Sequence, residues 1–219
     1  TGRTMLIPAI VKKHICQLEV EGLSQAQWYQ LFRVLRHKSL AASFYFRLIR
    51  EGKENAIPQK LQAAFLSAVT FSEAQKRQVN VQLKKLCHLF SESEIEFVML
   101  KGAAYVASDT VNCAGRLMSD IDICVRKRDL PRVEYALKQA AWQVKTLDDH
   151  DEKYYREWSH ELPPYSHPYD GVSLDVHYTL FPPVSNKTIN IDALFSDARV
   201  TPSGVMSPSP EWLVFHSAI

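Results

Sequence analysis

Three acidic residues in this sequence stand at spacings that could do chemistry. In Arg116-Leu117-Met118-Ser119-Asp120-Ile121-Asp122-Ile123-Cys124-Val125, apolar Ile121, Ile123 and Val125 alternate with Asp120, Asp122 and Cys124, the period of a β-strand. Asp120 and Asp122 then share one strand face, about 6.5 Å apart at about 3.3 Å per residue. At an effective dielectric of 20, such a pair repels by about 2–3 kcal/mol when partly buried, and a cation relieves it. The plain alternative is a solvent-facing strand with two wet carboxylates. A second strand, Val172 to Tyr178, puts Leu174 and Val176 on one face and Asp175 and His177 on the other. His177 could tune Asp175 or touch a ligand, or serve as a hydrogen-bonded structural histidine. Cys124, on the acid face, reads as a small buried residue rather than a metal neighbour. His160 and His167 flank a Pro-rich loop without metal-ligand spacing and receive no role.

The elements that must hold these acids follow from periodicity. Phe97 to Leu100 reads as a short buried strand breaking at Lys101-Gly102, and Ala103 to Ala107 as a helix. Asp129 is placed to cap a helix with Pro131 near its start and Leu130, Val133, Leu137 and Ala140 along it. A third strand is expected over Trp142 to Leu147, a polar and aromatic stretch over Asp148 to Glu157, and a turn or loop at Leu162-Pro163-Pro164-Tyr165. Upstream the chain is helical. Ser24 opens a helix with Trp28, Leu31, Phe32 and Leu35 on one face; Leu40, Phe44, Leu48 and Ile49 form the next apolar face. After a break at Gly52 and Asn55, Pro58 starts a helix with core positions Leu61, Phe65, Leu66 and Val69. The spacing continues through Val79, Leu83, Leu86, Leu89 and Phe90. Lys76, Arg77, Lys84 and Lys85 between them read as a solvated face.

Beyond Leu180, Pro182-Pro183 to Lys187 reads as a loop and Asp192 to Phe195 as a helical turn. Ser207-Pro208-Ser209-Pro210-Glu211 signals a helix start. With Ile219 the last residue, a further helical part is expected to be missing, leaving Trp212, Leu213 and Phe215 without their packing partners. The expected organisation is a helical region over 1–92, a mixed α/β core over 93–206 and the start of a carboxy-terminal helix over 207–219.

Composition narrows the class. The 219 residues suit one large domain or two small ones. With 26 basic against 24 acidic residues there is no strong attraction to DNA or an anionic membrane. Cys16, Cys87, Cys113 and Cys124 are far apart and form no Cys-x-x-Cys pair, so neither a cysteine zinc site nor a dense disulfide framework is indicated. No apolar run approaches the about 18–20 residues that cross a bilayer, and no signal-peptide pattern opens the chain. A reduced, cytoplasmic setting is the expectation.

Taken in order, Leu100-Lys101-Gly102-Ala103-Ala104, Arg116 to Asp122 and Leu174-Asp175-Val176-His177 resemble the uncharacterised bacterial nucleotidyltransferase family of the DNA polymerase beta-like superfamily. The set is also similar to the Lys-Gly-Gly and Arg-x-Ser-x-Asp-x-Asp pattern of nucleotidyltransferase toxins of toxin–antitoxin systems. The resemblance covers roughly residues 90–180, and the helical amino-terminal part and the Ser209-Pro210-Glu211-Trp212-Leu213 helix also fit the first family. Asp-x-Asp alone is a weak motif; the ordered set is much more specific.

The resemblance implies an α+β fold: a polymerase beta-like core, a mixed sheet with flanking helices, preceded by a helical region. It implies Asp120 and Asp122 as a metal pair and Asp175 as the third acid, with Mg2+, or Mn2+ as the alternative, completing its octahedron from carboxylate and triphosphate oxygens. Asp175 would also be placed to take the acceptor hydroxyl's proton. The implied chemistry is NMP transfer from an NTP with release of pyrophosphate. On the triphosphate side, Gly102 lets backbone N–H groups approach phosphate oxygens, Lys101 neutralises charge, Arg116 presents a planar fork and Ser119 donates a hydrogen bond. Their plain alternatives are a surface lysine, a structural partner of Asp120 or Asp122, and a loop serine. Many superfamily members have Gly-Ser or Gly-Gly where this chain has Gly102-Ala103, which removes one contact to the triphosphate. Two other functions fit the same residues: a nucleotide-binding or protein-interaction module with little catalysis, and a toxin-like enzyme acting on tRNA. The acceptor, whether small molecule, protein, peptide or RNA end, is not encoded in any readable motif; DNA and membrane are not expected partners.

Overall fold

Ser24 opens the first long α-helix through a reciprocal cap: its Oγ accepts the Gln27 N–H at 3.4 Å while Gln27 Oε1 accepts the Ser24 N–H at 2.8 Å. A computed structural model describes residues 11–144, 155, 158–169 and 171–217. Helix α1, Gln25–His37, follows that cap; α2 is Ala41–Arg50 and α3 is Gln59–Glu92. The chain divides into two compact units, residues 1–76 with 111–117, and residues 77–110 with 118–219. Residues 59–76 of α3 belong to the first unit and 77–92 to the second.

In the first unit, the apolar stripes of α1, α2 and the first part of α3 meet around Phe65, which is wholly buried. Its ring lies 4.8 Å from Phe32, 6.0 Å from Tyr45 and 6.4 Å from both Trp28 and Phe44. Leu40, Ile49 and Leu66, expected in this core, are 39%, 46% and 50% exposed, because they flank a stripe already filled by Phe44, Leu48, Leu61 and Phe65. Gly115 is required here: its φ is +70°, and a Cβ would lie 2.4 Å from Ala42 C and Ser43 N.

The second unit is built on a mixed sheet. Strands β1 (Phe97–Met99), β2 (Asp120–Val125), β3 (Gln143–Val144), β4 (Tyr165–Ser166) and β5 (Ser173–His177) lie in the order β1-β2-β5-β4-β3. The central pair β2–β5 is parallel and every other pair antiparallel. The crossover between the parallel strands contains α5, Leu130–Gln139, while α4, Lys101–Ala107, follows β1 directly. Val98, Leu100, Cys124, Leu180, Leu194 and Phe195 form an apolar cluster under the sheet, with the second half of α6 (Ile191–Asp197) against it. A hairpin of β6 (Arg199–Val200) and β7 (Met206–Ser207) leads into α7, Pro210–Ser217.

Several expectations are corrected. Asp129 sits before α5 in a helical conformation and makes no cap; its carboxylate takes the Arg132 guanidinium instead. Tyr165, expected in a turn, forms β4, because Leu174 and Ser173 offer it a strand to pair with. Trp212 has partners within the chain: it packs on the apolar cluster and donates from Nε1 to Asp197 Oδ2 at 3.0 Å. Of the expected third strand, Trp142 to Leu147, residues 142–144 are described, with Gln143–Val144 in β3 and Trp142 just before it; of the Asp148 to Glu157 stretch only Tyr155 falls among the described residues. Among those residues, no helix is long and apolar enough to cross a membrane.

Candidate active site

The parallel register of β2 and β5 aligns Asp122 with Asp175 and Asp120 with Ser173. Parallel neighbours point matched side chains to the same face, so Asp120, Asp122 and Asp175 share it, with His177 one step further along β5 opposite Cys124. The edge of the sheet brings a cation to this face. Leu100 donates its N–H to the Asp122 carbonyl at 2.9 Å, extending the β1–β2 ladder by one residue and delivering Lys101 beside Asp122. Lys101 Nζ then lies 2.5 Å from Asp122 Oδ1. At this turn the left-handed conformation falls on Lys101, with φ 45°, rather than on Gly102, which is buried in the first turn of α4.

Asp122 is 2% exposed, and its Oδ1 takes a second partner, His177 Nε2, at 3.0 Å. Burial alone would raise its carboxyl, but the hydrogen bonds from His177 and Lys101, with their charges, hold it below the usual carboxylate value. Burial would likewise lower Lys101; its bond to Asp122 and the charges of Asp122, Glu161 and Asp120 hold it above its ordinary value instead. Asp175 responds in the opposite sense. Burial, then the charges of Asp122, Glu161 and Asp120, push its carboxyl up to about 6, and its buried Oδ1 has no hydrogen-bond partner. One acid of the pair is thus firmly ionised and its neighbour is poised near neutrality.

Three further groups reach this face, and sequence reading assigned a role to none of them. Backbone bonds from Leu162 N–H to the Val176 carbonyl at 2.8 Å and from Tyr178 N–H to the His160 carbonyl at 3.0 Å lay the 160–162 segment beside β5. This places Glu161 opposite His177, with Glu161 Oε2 3.3 Å from His177 Nδ1 and 3.8 Å from His160 Nε2. The ligand atoms of His160, Glu161 and His177 all lie within 4.8 Å of one another. Burial, with the charges of His177 and Lys101, outweighs the pull of Glu161 and lowers His160. From α7, His216 is pushed down to about 4 by burial and by the charges of His177 and Lys101. His160, without metal spacing in the sequence, joins the site through strand pairing alone. The adjacent His160-Glu161 pair was the available signal, and its partner His177 is distant along the chain.

Ser119 is exposed, one residue before β2 in the second unit; Arg116 is exposed in the 111–117 segment of the first unit. His177, read as tuning Asp175, touching a ligand or serving as a structural histidine, contacts Asp122 and Glu161, and acts on Asp175 through its charge, opposing the rise of that carboxyl. Cys124 is wholly buried in the apolar cluster, and burial raises its thiol to about 12, so it stays an inert neutral side chain.

The donor set suits a hard divalent cation. Asp120, Asp122 and Asp175 offer carboxylate oxygens from adjacent positions of two strands, and the orphaned Oδ1 of Asp175 is a buried acceptor with an unmet demand for a cation or donor. No curated protein matches the sequence. The family model described as uncharacterised nucleotidyltransferase matches residues 24–219, covering the helical amino-terminal part and the mixed-sheet core together, and the chain therefore belongs to that nucleotidyltransferase family.

Proposed function

We propose that this protein transfers an NMP group from an NTP to an acceptor hydroxyl, releasing pyrophosphate, with Asp120, Asp122 and Asp175 holding Mg2+ or Mn2+. The observation that carries the reading is the paired register of Asp122 and Asp175, two acids held at opposite protonation tendencies on one face, with Asp175 Oδ1 unpartnered. When bound, the divalent ion would supply electrostatic stabilisation of the phosphoryl oxygens. Asp175 is the group proposed to take the acceptor's proton as the acceptor oxygen bonds to the α-phosphorus. The bond from that phosphorus to the bridging oxygen breaks, and pyrophosphate leaves. Lys101 and Gly102 at the start of α4, with Ser119 before β2, are the groups proposed for the triphosphate. Lys101 is 46% exposed on its side chain, so its ammonium can turn from Asp122 toward a phosphate oxygen.

Incubation of the protein with α-labelled NTPs, Mg2+ and mixed hydroxyl acceptors tests the proposal. Label transfer and pyrophosphate release are expected in the parent and lost by at least about a hundredfold in Asp120→Ala. Equal transfer by that variant overturns the roles. Mg2+-dependent NTP binding without pyrophosphate release would instead make the chain a nucleotide-binding module.

A further inference from the structure

We infer that His160, Glu161 and His177 form a second metal site, selective for a divalent transition ion of the Zn2+ type and independent of the transferase reading. The argument begins with a tautomer. Asp122 is an ionised acceptor, so the His177 nitrogen facing it at 3.0 Å, Nε2, carries the proton. With Nε2 turned to Asp122, Nδ1 is the ring nitrogen left to face Glu161. That atom is buried in a side chain 1% exposed and has no hydrogen-bond partner, although Glu161 Oε2 lies 3.3 Å away. The contact is close but not aligned as a hydrogen bond: two electron-pair donors face one another across a gap.

His160 contributes the third donor, its Nε2 lying 3.8 Å from the same Glu161 oxygen, and the three ligand atoms fall within 4.8 Å of one another. Metal–nitrogen and metal–oxygen bonds of about 2.0–2.2 Å at tetrahedral angles put ligand atoms about 3.3–3.6 Å apart, so small movements close the set around one ion. Two imidazoles and one carboxylate are a borderline donor set that prefers Zn2+ to Mg2+, whereas the all-oxygen set of Asp120, Asp122 and Asp175 prefers the reverse. Asp122 completes the pattern as the carboxylate behind a metal-binding histidine, fixing its tautomer and ring orientation. Such an ion would pin the 160–162 segment to β5. An imidazole that serves only to bridge the Asp122 and Glu161 carboxylates is the competing arrangement, and it predicts no metal.

The test uses the chelator-treated chain titrated with Co2+ and then Zn2+. One equivalent of Co2+ should give visible tetrahedral d–d absorption, displaced by Zn2+ and unaffected by millimolar Mg2+. Glu161→Gln should weaken Co2+ at least tenfold and His160→Ala should abolish the spectrum, with His160→Gln as the substitute if the alanine variant fails to fold by circular dichroism. Asp175→Asn and Cys16→Ser should leave the spectrum intact. Absence of Co2+ absorption in the parent, its persistence in Glu161→Gln and the His160 variant, or its loss in Asp175→Asn or Cys16→Ser would overturn the site.

Discussion

Asp175→Asn should make the metal-free protein more stable and, if the proposed chemistry holds, catalytically silent. The carboxyl is raised from 3.8 to about 6 by burial and by Asp122, Glu161 and Asp120, with His177 opposing. Because the folded value lies above the ordinary one, proton binding favours the fold: that stabilisation is complete below about pH 3.8 and gone above about pH 6. The difference, about 2 units at 1.36 kcal/mol each, sets an upper limit of about 3 kcal/mol. Asp175 is only partly buried, so solvent screening reduces this to about 1–2 kcal/mol. At pH 5 about half of that stabilisation remains, so thermal melts in EDTA should show Asp175→Asn raising the melting temperature at pH 8 by about 1–4 °C relative to its effect at pH 5. Mg2+ at pH 8 should stabilise the parent more than the variant, since a cation relieves the charge that asparagine lacks. A variant equally destabilised at pH 5 and pH 8, or one stabilised by Mg2+ as strongly as the parent, would refute the reading of Asp175 as a strained, cation-seeking acid.

Lys101→Met should destabilise the second unit by about 1–2 kcal/mol, less than the about 3–5 kcal/mol for breaking a fully buried pair, because Lys101 is half exposed and His177 still donates to Asp122. Urea titration of the variant reads the loss, and an unchanged midpoint would count against the pair. Gly115→Ala should cost the first unit about 2–4 kcal/mol from overpacking and a left-handed φ, whereas Gly22→Ala, at φ +75° with nothing within 4 Å of its Cβ, should cost about 1 kcal/mol. Equal melting temperatures for the two variants would show that the backbone of Ala42 and Ser43 yields easily.

Local rules carried much of this protein. Ser24 and Gln27 announce α1 because a cap needs only residues three apart, and Asp120 to Val125 announces β2 because alternation is written in neighbouring positions. The ordered Lys-Gly, Asp-x-Asp and later strand acid pointed to a nucleotidyltransferase, and the family match over residues 24–219 agrees. Reading failed where the deciding partner is remote. Leu66 looks like core on any helical wheel, but Phe65 and Leu61 already fill the space. Tyr165 sits beside Pro163-Pro164 and reads as a turn until β5 is there to pair with it.

The site divides along the same line. Sequence alone determined which acids lie on strands and that Asp120 and Asp122 share a face, since a two-residue period depends on nothing beyond the strand itself. Only the tertiary structure decided that β2 and β5 run parallel with Asp122 against Asp175, that Lys101 and His177 converge on one oxygen of Asp122, and that His160 and Glu161 arrive beside His177. The protonation tendencies follow from that convergence. Burial and Coulomb forces act through space, so two chemically identical side chains, Asp122 and Asp175, are driven in opposite directions by neighbours that no spacing along the chain could reveal.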